Sequence, residues 1–370
     1  MIELTTILFA TAYCVIQLIC LLALLNKKSD TPLFEQSSSE LPAISILLAA
    51  RNEEENIHKC LRAIYNLNYP IEKLQVLIGN DQSEDQTAEI VLQYIVDKPH
   101  MQLVNISSSI GKARGKANVL AQLAHIASGD FFLITDADIT VNKYWALELI
   151  HHFDGPMVGI VSGTTIVHDR GFMGRMQEID WLYFMGLLKS FANLGLNCTA
   201  VGNNMGISKH AYWDVGGYEK LDFSVTEDYK IYKEVRKKGW QTKNILNRKS
   251  LNFSTATADF KLLMHQRKRW LTGAKELPFY WWILFTIFGL FTPAVIILCF
   301  YNVQIAILIY SLKLLLQTST IWLLQKKLML RKKLDYIVGY EYYSNIIAIA
   351  TQVFYLWPGK MIWKNRKYRV

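Results

Sequence analysis

Three groups of residues in this 370-residue chain carry chemistry when they are taken together. Thr135-Asp136-Ala137-Asp138 closes an apolar run. Aspartates two apart at a strand end can turn one carboxylate toward a ribose and the other onto a hard divalent cation. Mg²⁺ or Mn²⁺ takes such oxygen ligands and bridges phosphates. Thr226-Glu227-Asp228 opens a helical run, where a carboxylate can take the proton of an attacking hydroxyl. Gln266-Arg267-Lys268-Arg269-Trp270 stands just before the chain turns hydrophobic. Its arginine offers a planar fork for diphosphate oxygens, its tryptophan a flat surface for stacking or for a sugar, its glutamine a neutral hydrogen bond. A metal carboxylate, a base and a cationic-aromatic clamp form a consistent set for displacing a nucleoside diphosphate.

Each group also has a plainer reading. Asp after a strand is common turn chemistry. Ser224-Val225-Thr226-Glu227 fits the Ser-x-x-Glu capping box, so the acidic pair could simply start the helix that runs to Lys238. Arg, Lys and Trp are the residues expected at a membrane interface. The order of the three motifs, and their distance from the hydrophobic tail, favours the chemical reading. Capping and catalysis are compatible, because a helix end holds a carboxylate in place and ionised.

The elements that must position these groups follow from periodicity. Residues 44–50, 74–79, 101–105 and 131–135 are short apolar runs rich in branched side chains, and 56–67, 86–96 and 116–127 have helical spacing. This alternation predicts an α/β fold with a mainly parallel sheet flanked by helices. Ligands of such sheets bind outside the carboxyl ends of the strands. Arg51-Asn52-Glu53, Asn80-Asp81 and Asp136-Ala137-Asp138 all fall at those ends, which argues for one shared nucleotide cleft. Lys112, Arg114 and Lys116 lie in and beside a glycine-containing loop entering a helix, which reads equally as a phosphate cradle or as a solvated basic loop. Residues 157–257 are less regular, with a strand-like 158–162 and a long helix near 174–191; this half is expected to form the acceptor side.

Hydrophobic residues make up 51% of the chain and concentrate at its ends. Residues 4–25 carry no charge, about the length needed to span a bilayer core of ~30 Å. A cleavable signal would want basic residues before this stretch; instead Lys27-Lys28 follows it, which predicts an anchor with the next domain in the cytoplasm. Residues 277–325 are expected to form two transmembrane helices with a turn at Tyr301-Asn302. The third C-terminal segment, 334–358, is interrupted by Glu341, Asn345 and Gln352, and reads as re-entrant or interfacial ahead of a true span. The expected organisation is thus an anchor at 1–25, a linker at 26–42, a cytoplasmic domain at 43–272, these hydrophobic segments and a basic tail at 359–370. The protein would sit in the cell (inner) membrane as a multi-pass protein. The formal charge of +9 lies mostly in clusters beside apolar spans, so anionic lipid headgroups account for it and nucleic acid is not an expected partner. The five cysteines show no metal-ligand spacing and are expected to be reduced thiols.

With these residues in place, the chain resembles the membrane-bound family 2 glycosyltransferases, which include cellulose, chitin and hyaluronan synthases and ceramide glucosyltransferases. The resemblance runs from about Leu41 to Trp270 and carries a GT-A, Rossmann-like fold. It implies an inverting transfer from a nucleotide-sugar, UDP- or GDP-linked, to a lipid or a growing polysaccharide. It implies that Asp136 meets the ribose and Asp138 the metal, that Asp228, with Glu227 beside it, is the base, and that Lys116, Gln266, Arg269 and Trp270 hold the diphosphate. Asn80 stands where the family usually has aspartate, which bears on which base is recognised. Trp181 resembles an acceptor-facing position, although an ordinary amphipathic helix explains it as well. The tail around Trp363 resembles the ceramide glucosyltransferase branch and leans toward single sugar addition. A processive synthase, a nucleotide-binding scaffold without turnover, and a nucleotidyltransferase are the other readings. The last gives no reason for the Gln-x-x-Arg-Trp clamp.

Overall fold

The computed structural model describes residues 1–25, 41–169, 171–257, 259–331, 334–357, 361–363 and 366–368. Most of the expected linker, Lys27 and Lys28 among it, and parts of the basic tail lie outside the described residues. The chain begins with helix α1 (Ile2–Leu25), then enters an alternating region of β1 (Ile44–Ala50), α2 (Ile57–Tyr65), β2 (Leu74–Asn80), α3 (Thr87–Ile95), β3 (Met101–Asn105), α4 (Lys116–Ile126), β4 (Phe131–Asp136) and α5 (Trp145–His151). A less regular half follows, with β5 (Val158–Ser162), β6 (Thr164–Val167), α6 (Phe172–Asn193), β7 (Asn204–Ser208), α7 (Lys209–Asp214), α8 (Gly217–Lys220), α9 (Glu227–Lys237), β8 (Gln241–Asn244) and β9 (Leu251–Ser254). The C-terminal part is helical, α10 (Phe260–Ala274), α11 (Phe279–Tyr301), α12 (Val303–Lys327) and α13 (Ile337–Leu356), and closes on the antiparallel pair β10 (Met361–Trp363) and β11 (Arg366–Tyr368).

Seven strands form one sheet in the order β3-β2-β1-β4-β7-β5-β8. The first four run parallel; β7 inserts antiparallel to both β4 and β5. Alternate residues of β1 serve opposite faces, as the pleat requires. Ile46 and Leu48 pack with Leu61 and Ile64 of α2 and Trp145 of α5. Leu47 packs on the other side with Val119 and Leu120 of α4 and Tyr212 of α7. Each of these side chains is fully buried, stabilising by about 1.5–3 kcal/mol apiece relative to exposure. Strands buried on both faces read as continuous apolar runs, which is why the periodicity locates them well.

A second, two-stranded sheet pairs β6 with β9. Buried Asn204 joins it to the main sheet: its amide donates to the carbonyls of Thr164 and Ser250, both at 2.9 Å, while its oxygen accepts from Trp145 Nε1 at 2.8 Å. This junction carries Ser254 to the end of β4.

Helices α1, α11 and α12 are long and apolar enough to cross a bilayer. Asn302 alone separates the last two, and its side chain caps α12 by accepting from the Ile305 amide at 3.1 Å. Helix α6 lies against α1 through polar contacts, Tyr183 to Gln17 at 2.6 Å and Ser190 to the Cys20 carbonyl at 3.0 Å. Helix α13 is continuous and turns Glu341 inward onto Lys313 of α12, with Gln317, Tyr310 and Asn345 completing the carboxylate's hydrogen bonds.

Candidate active site

The carboxyl edge of the sheet gathers the polar motifs. Strand pairing sets Ala50 beside Asn80 and Ala49 beside Asp136, so the loops after β1, β2 and β4 leave the sheet together. Lys116 is the first residue of α4, entered through Gly115. Its ammonium stands 2.5 Å from Asp136 and 3.0 Å from Glu227, tying the strand-end motif to the start of α9. Burial disfavours the charged amine, but the two carboxylates outweigh that and raise its pKa. Burial likewise raises Glu227, and the nearby Lys116 and Arg269 charges overcome it and hold the carboxylate below its ordinary value. Asp138 accepts a hydrogen bond at 3.1 Å from the Oγ of Ser254, the last residue of β9.

The Ser-x-x-Glu capping box does not form. Helix α9 starts at Glu227 with Thr226 at its cap, and the Thr226 side chain makes no capping bond. Ser224 instead accepts from the Thr226 amide and donates to Glu276, both at 3.2 Å, while Glu227 faces Lys116. The ion pair with Lys116 draws the carboxylate away from the backbone it would have capped. Asp228 is fixed by two backbone amides, Gly202 at 3.0 Å and Tyr229 at 2.8 Å. A side chain at residue 202 would come within 2.6 Å of the Asp228 Cβ, so only glycine lets the amide approach this closely. Burial, and then the adjacent Glu227 charge, push the Asp228 carboxyl up to about 6 against the opposing pull of Lys116. A carboxyl with that pKa can accept a proton near neutral pH.

Helix α10 brings the third motif alongside. A Cβ at Gly273 would lie 2.4 Å from the Thr226 side chain, so this helix rests directly on the residue before Glu227. The Trp270 ring packs among aromatic and cationic groups: Phe184 is nearly parallel at 6.2 Å, Trp181 edge-on at 5.3 Å, and the Arg267 guanidinium lies 4.5 Å from its centroid. Arg267 is itself held by Asp180, which also accepts from Tyr340 of α13 at 3.1 Å. Gln266 Oε1 is buried and meets no hydrogen-bond partner among the described residues.

Several of the expected residues also make contacts within the protein. Trp181 is 8% exposed and stands edge-on to Trp270, the rings 5.3 Å apart. Both ends of the Asn80 amide are engaged inside the protein, with Asn105 at 3.0 Å and the Ser83 amide at 3.1 Å, so this side chain shapes its loop. Asn52, in a left-handed conformation (φ 51°), accepts from the Glu84 amide at 2.9 Å, and Glu53 accepts from Asn56 at 3.1 Å. Asp81 stands beside them, its amide bonded to the Ala50 carbonyl at 2.9 Å. Sequence reasoning missed Gly202, Ser254, Asp180 and Glu276. Of these, Asp180 and Gly202 stood in stretches that the sequence picks out, beside Trp181 and in the run Gly202-Asn203-Asn204.

Among the described residues no group of three His, Cys, Asp or Glu side chains is arranged to hold a metal ion. The acidic groups near the end of β4 are Glu53, Asp136 and Asp138, whose charges all act on the buried Cys60 thiol and raise its pKa after burial has done so. One carboxylate supplemented by phosphate oxygens is the habit of Mg²⁺ in nucleotide sites, so this donor chemistry fits a cation that arrives with its substrate.

The sequence model of glycosyl transferase family 21 matches residues 3–370. The poly-beta-1,6-N-acetyl-D-glucosamine synthase of Staphylococcus aureus (strain COL) is 31% identical over 258 residues, covering 68% of this chain and 58% of that protein. The probable glycosyltransferase YdaM of Bacillus subtilis (strain 168) is 26% identical over 252 residues, covering 66% of this chain and 58% of its own length. The chain thus spans less than two thirds of the curated relatives it matches. Among solved structures, the mannosyltransferase PcManGT from Pyrobaculum calidifontis, in complex with GDP-Man and Mn²⁺, superposes with a TM-score of 0.59 at 16% identity, over 96% of this chain and 99% of that one. That likeness shows the fold.

Proposed function

The chain belongs to glycosyl transferase family 21, and we propose that this membrane glycosyltransferase moves one sugar, with inversion, from a nucleotide-sugar to an acceptor presented at the bilayer. The observation that carries the reading is the chain of contacts Asp136–Lys116–Glu227 with Asp228 adjacent, which joins a strand end to a helix start across 91 residues from Asp136 to Glu227 (227 − 136). In the proposed reaction Asp228 takes the proton of the acceptor hydroxyl. The hydroxyl oxygen forms its bond to the anomeric carbon as the bond from that carbon to the diphosphate oxygen breaks. The electron pair leaves on the diphosphate, where Lys116 and Arg269 stabilise the developing charge. Gln266 and Trp270 complete the clamp. Asp138 is the residue we assign to hold a divalent cation, Mg²⁺ or Mn²⁺, whose charge when bound offsets that of the diphosphate. Asp136 faces the ribose, and Asp81 lies on the base side.

We assign the acceptor to the lipid class, because the clamp lies on α10, which leads directly into α11. A polysaccharide end is the second reading, supported by the synthase named among the relatives. Lys326 and Lys327 at the end of α12 support a multi-pass arrangement in the cell membrane with the catalytic domain in the cytoplasm. The reading is tested with detergent-purified protein and a panel of UDP- and GDP-sugars, following diphosphate release with Mg²⁺ or Mn²⁺, with and without lipid extract. Asp228→Asn is expected to abolish transfer while nucleotide binding survives; transfer near the wild-type rate would overturn the assignment of the base.

A further inference from the structure

Two residues inside the motif on α10, Arg267 and Lys268, take no step in the proposed transfer, and both are tied to α13. Arg267 meets Asp180 of α6, and Asp180 accepts from the Tyr340 hydroxyl of α13 at 3.1 Å. Lys268 is 6% exposed, and its ammonium donates to the Trp357 carbonyl at 3.0 Å, where α13 ends. A cation at a helix C-terminus meets carbonyls that have no partner within the helix. The Phe354 ring lies 5.5 Å from the same ammonium and stands edge-on to His265 of α10 at 5.1 Å. Helix α13 is joined in turn to the two apolar helices: Glu341 meets Lys313 of α12, and Asn345 accepts from Thr292 of α11 at 2.7 Å.

Gln266, Arg269 and Trp270 stand three and four residues apart and so share one side of α10. Arg267 and Lys268 fall between them, and each residue turns the helix by about 100°. Fixing these two side chains therefore fixes the rotation of α10 about its axis, and with it the direction in which the other three point. Arg267 adds a direct contact, its guanidinium 4.5 Å from the centre of the Trp270 ring. Apolar packing is non-directional, whereas hydrogen bonds and an ion pair hold a helix at one rotation. We propose that Arg267 and Lys268 are positioning residues for transfer. With Asp180 and Tyr340 they dock α13 against α10, and so set Arg269 and Trp270 for the departing diphosphate. The inference rests on the clamp assigned above.

The test uses the 370-residue chain in detergent, as wild type, Arg267→Met, Lys268→Met, Asp180→Asn, Tyr340→Phe and the double variant Asp180→Asn/Arg267→Met. Binding sites are counted by titration calorimetry with UDP or GDP and Mn²⁺. Transfer is measured at saturating donor and expressed per site, so that loss of folded protein does not register. Arg267→Met and Lys268→Met are each expected to lower the rate per site about 10- to 100-fold, the scale of a misplaced reacting group. Tyr340→Phe, which removes one hydroxyl, should lower it about threefold to tenfold. Asp180→Asn should slow the wild type yet change Arg267→Met by less than about twofold, because it acts through Arg267. A rate per site within about twofold of wild type in either methionine variant, or an additive double variant, overturns the inference and leaves the transferase reading standing. Where a methionine variant shows no site, Tyr340→Phe decides, and an unchanged rate overturns the inference. Wild type that releases no diphosphate from any nucleotide-sugar overturns the transferase reading as well.

Discussion

Replacing Asp228 by Asn should stabilise the fold at neutral pH as it ends transfer. The folded carboxyl is pushed up to about 6, against 3.8 for an unperturbed aspartate. A carboxyl raised in this way adds stability that is fully present below the unfolded value and is lost as pH rises through the folded one. At neutral pH the ionised group therefore strains the native state, by burial and by the charge of Glu227. A difference of about two units corresponds to about 3 kcal/mol. The neutral amide removes that strain but can accept only one of the two hydrogen bonds now made to Gly202 and Tyr229. Losing the other costs about 1 kcal/mol. A net gain of about 2 kcal/mol should raise the melting temperature by roughly 4–8 °C at neutral pH in a domain of this size. The advantage should shrink by about 1 kcal/mol on moving to about pH 5, where the wild-type carboxyl takes up its proton. Thermal melts of both proteins in one detergent, at the two pH values and beside a transfer assay, supply the measurement. A variant that melts lower at neutral pH, or by the same margin at both, refutes the electrostatic reasoning; a variant that still transfers refutes the role.

Four other outcomes follow from the same geometry. The kcat/KM of the wild type should fall about tenfold per unit below about pH 6, as Asp228 protonates, and be level just above it; a profile flat down to about pH 5 contradicts this. Lys116→Met should leave Asp136 and Glu227 facing each other without their shared cation and weaken nucleoside diphosphate binding by roughly 10- to 100-fold, read by calorimetry. Gly273→Leu should wedge α10 away from Thr226, costing about 1–3 kcal/mol in a melt and most of the turnover, whereas Gly155→Leu, at an open position, should do neither. Chelation of divalent cations should stop transfer and Mn²⁺ or Mg²⁺ should restore it, with the dependence on cation concentration weakened in Asp138→Ala.

The parts of the fold that stood out in the sequence are those buried on two faces. Strands β1, β2 and β5 fall on the apolar runs that announced them, because a strand covered on both sides is largely apolar along its length. Strand β8, Gln241–Asn244, is half-exposed and polar, and β6 and β9 are four residues each, too short for a period to register. Strand β7 was hidden behind Gly202-Asn203-Asn204, a run that looks like a turn. Its asparagine is instead the buried joint between the two sheets. Asp136 drew notice by its place at a strand end and Lys116, Glu227 and Asp228 by a family resemblance, and the structure sets Lys116 against Asp136 and Glu227. Their supports were not: backbone amides such as those of Gly202 and Tyr229 have no sequence signature. Asn80 and Trp181 also meet partners on distant elements, Asn105 and Trp270, which no local pattern announces.

The contact between Gly273 and Thr226 ties enzymology to lipid composition. Helix α10 meets the Thr226 side chain at Gly273, and only the short segment at 275–278 separates it from α11. A bilayer thinner or thicker than the hydrophobic length of α11 is accommodated by tilt. With so short a connection, a tilt of α11 would bear on α10 and, through Gly273, on Thr226 at the start of α9. Turnover in reconstituted vesicles is therefore expected to vary with acyl-chain length.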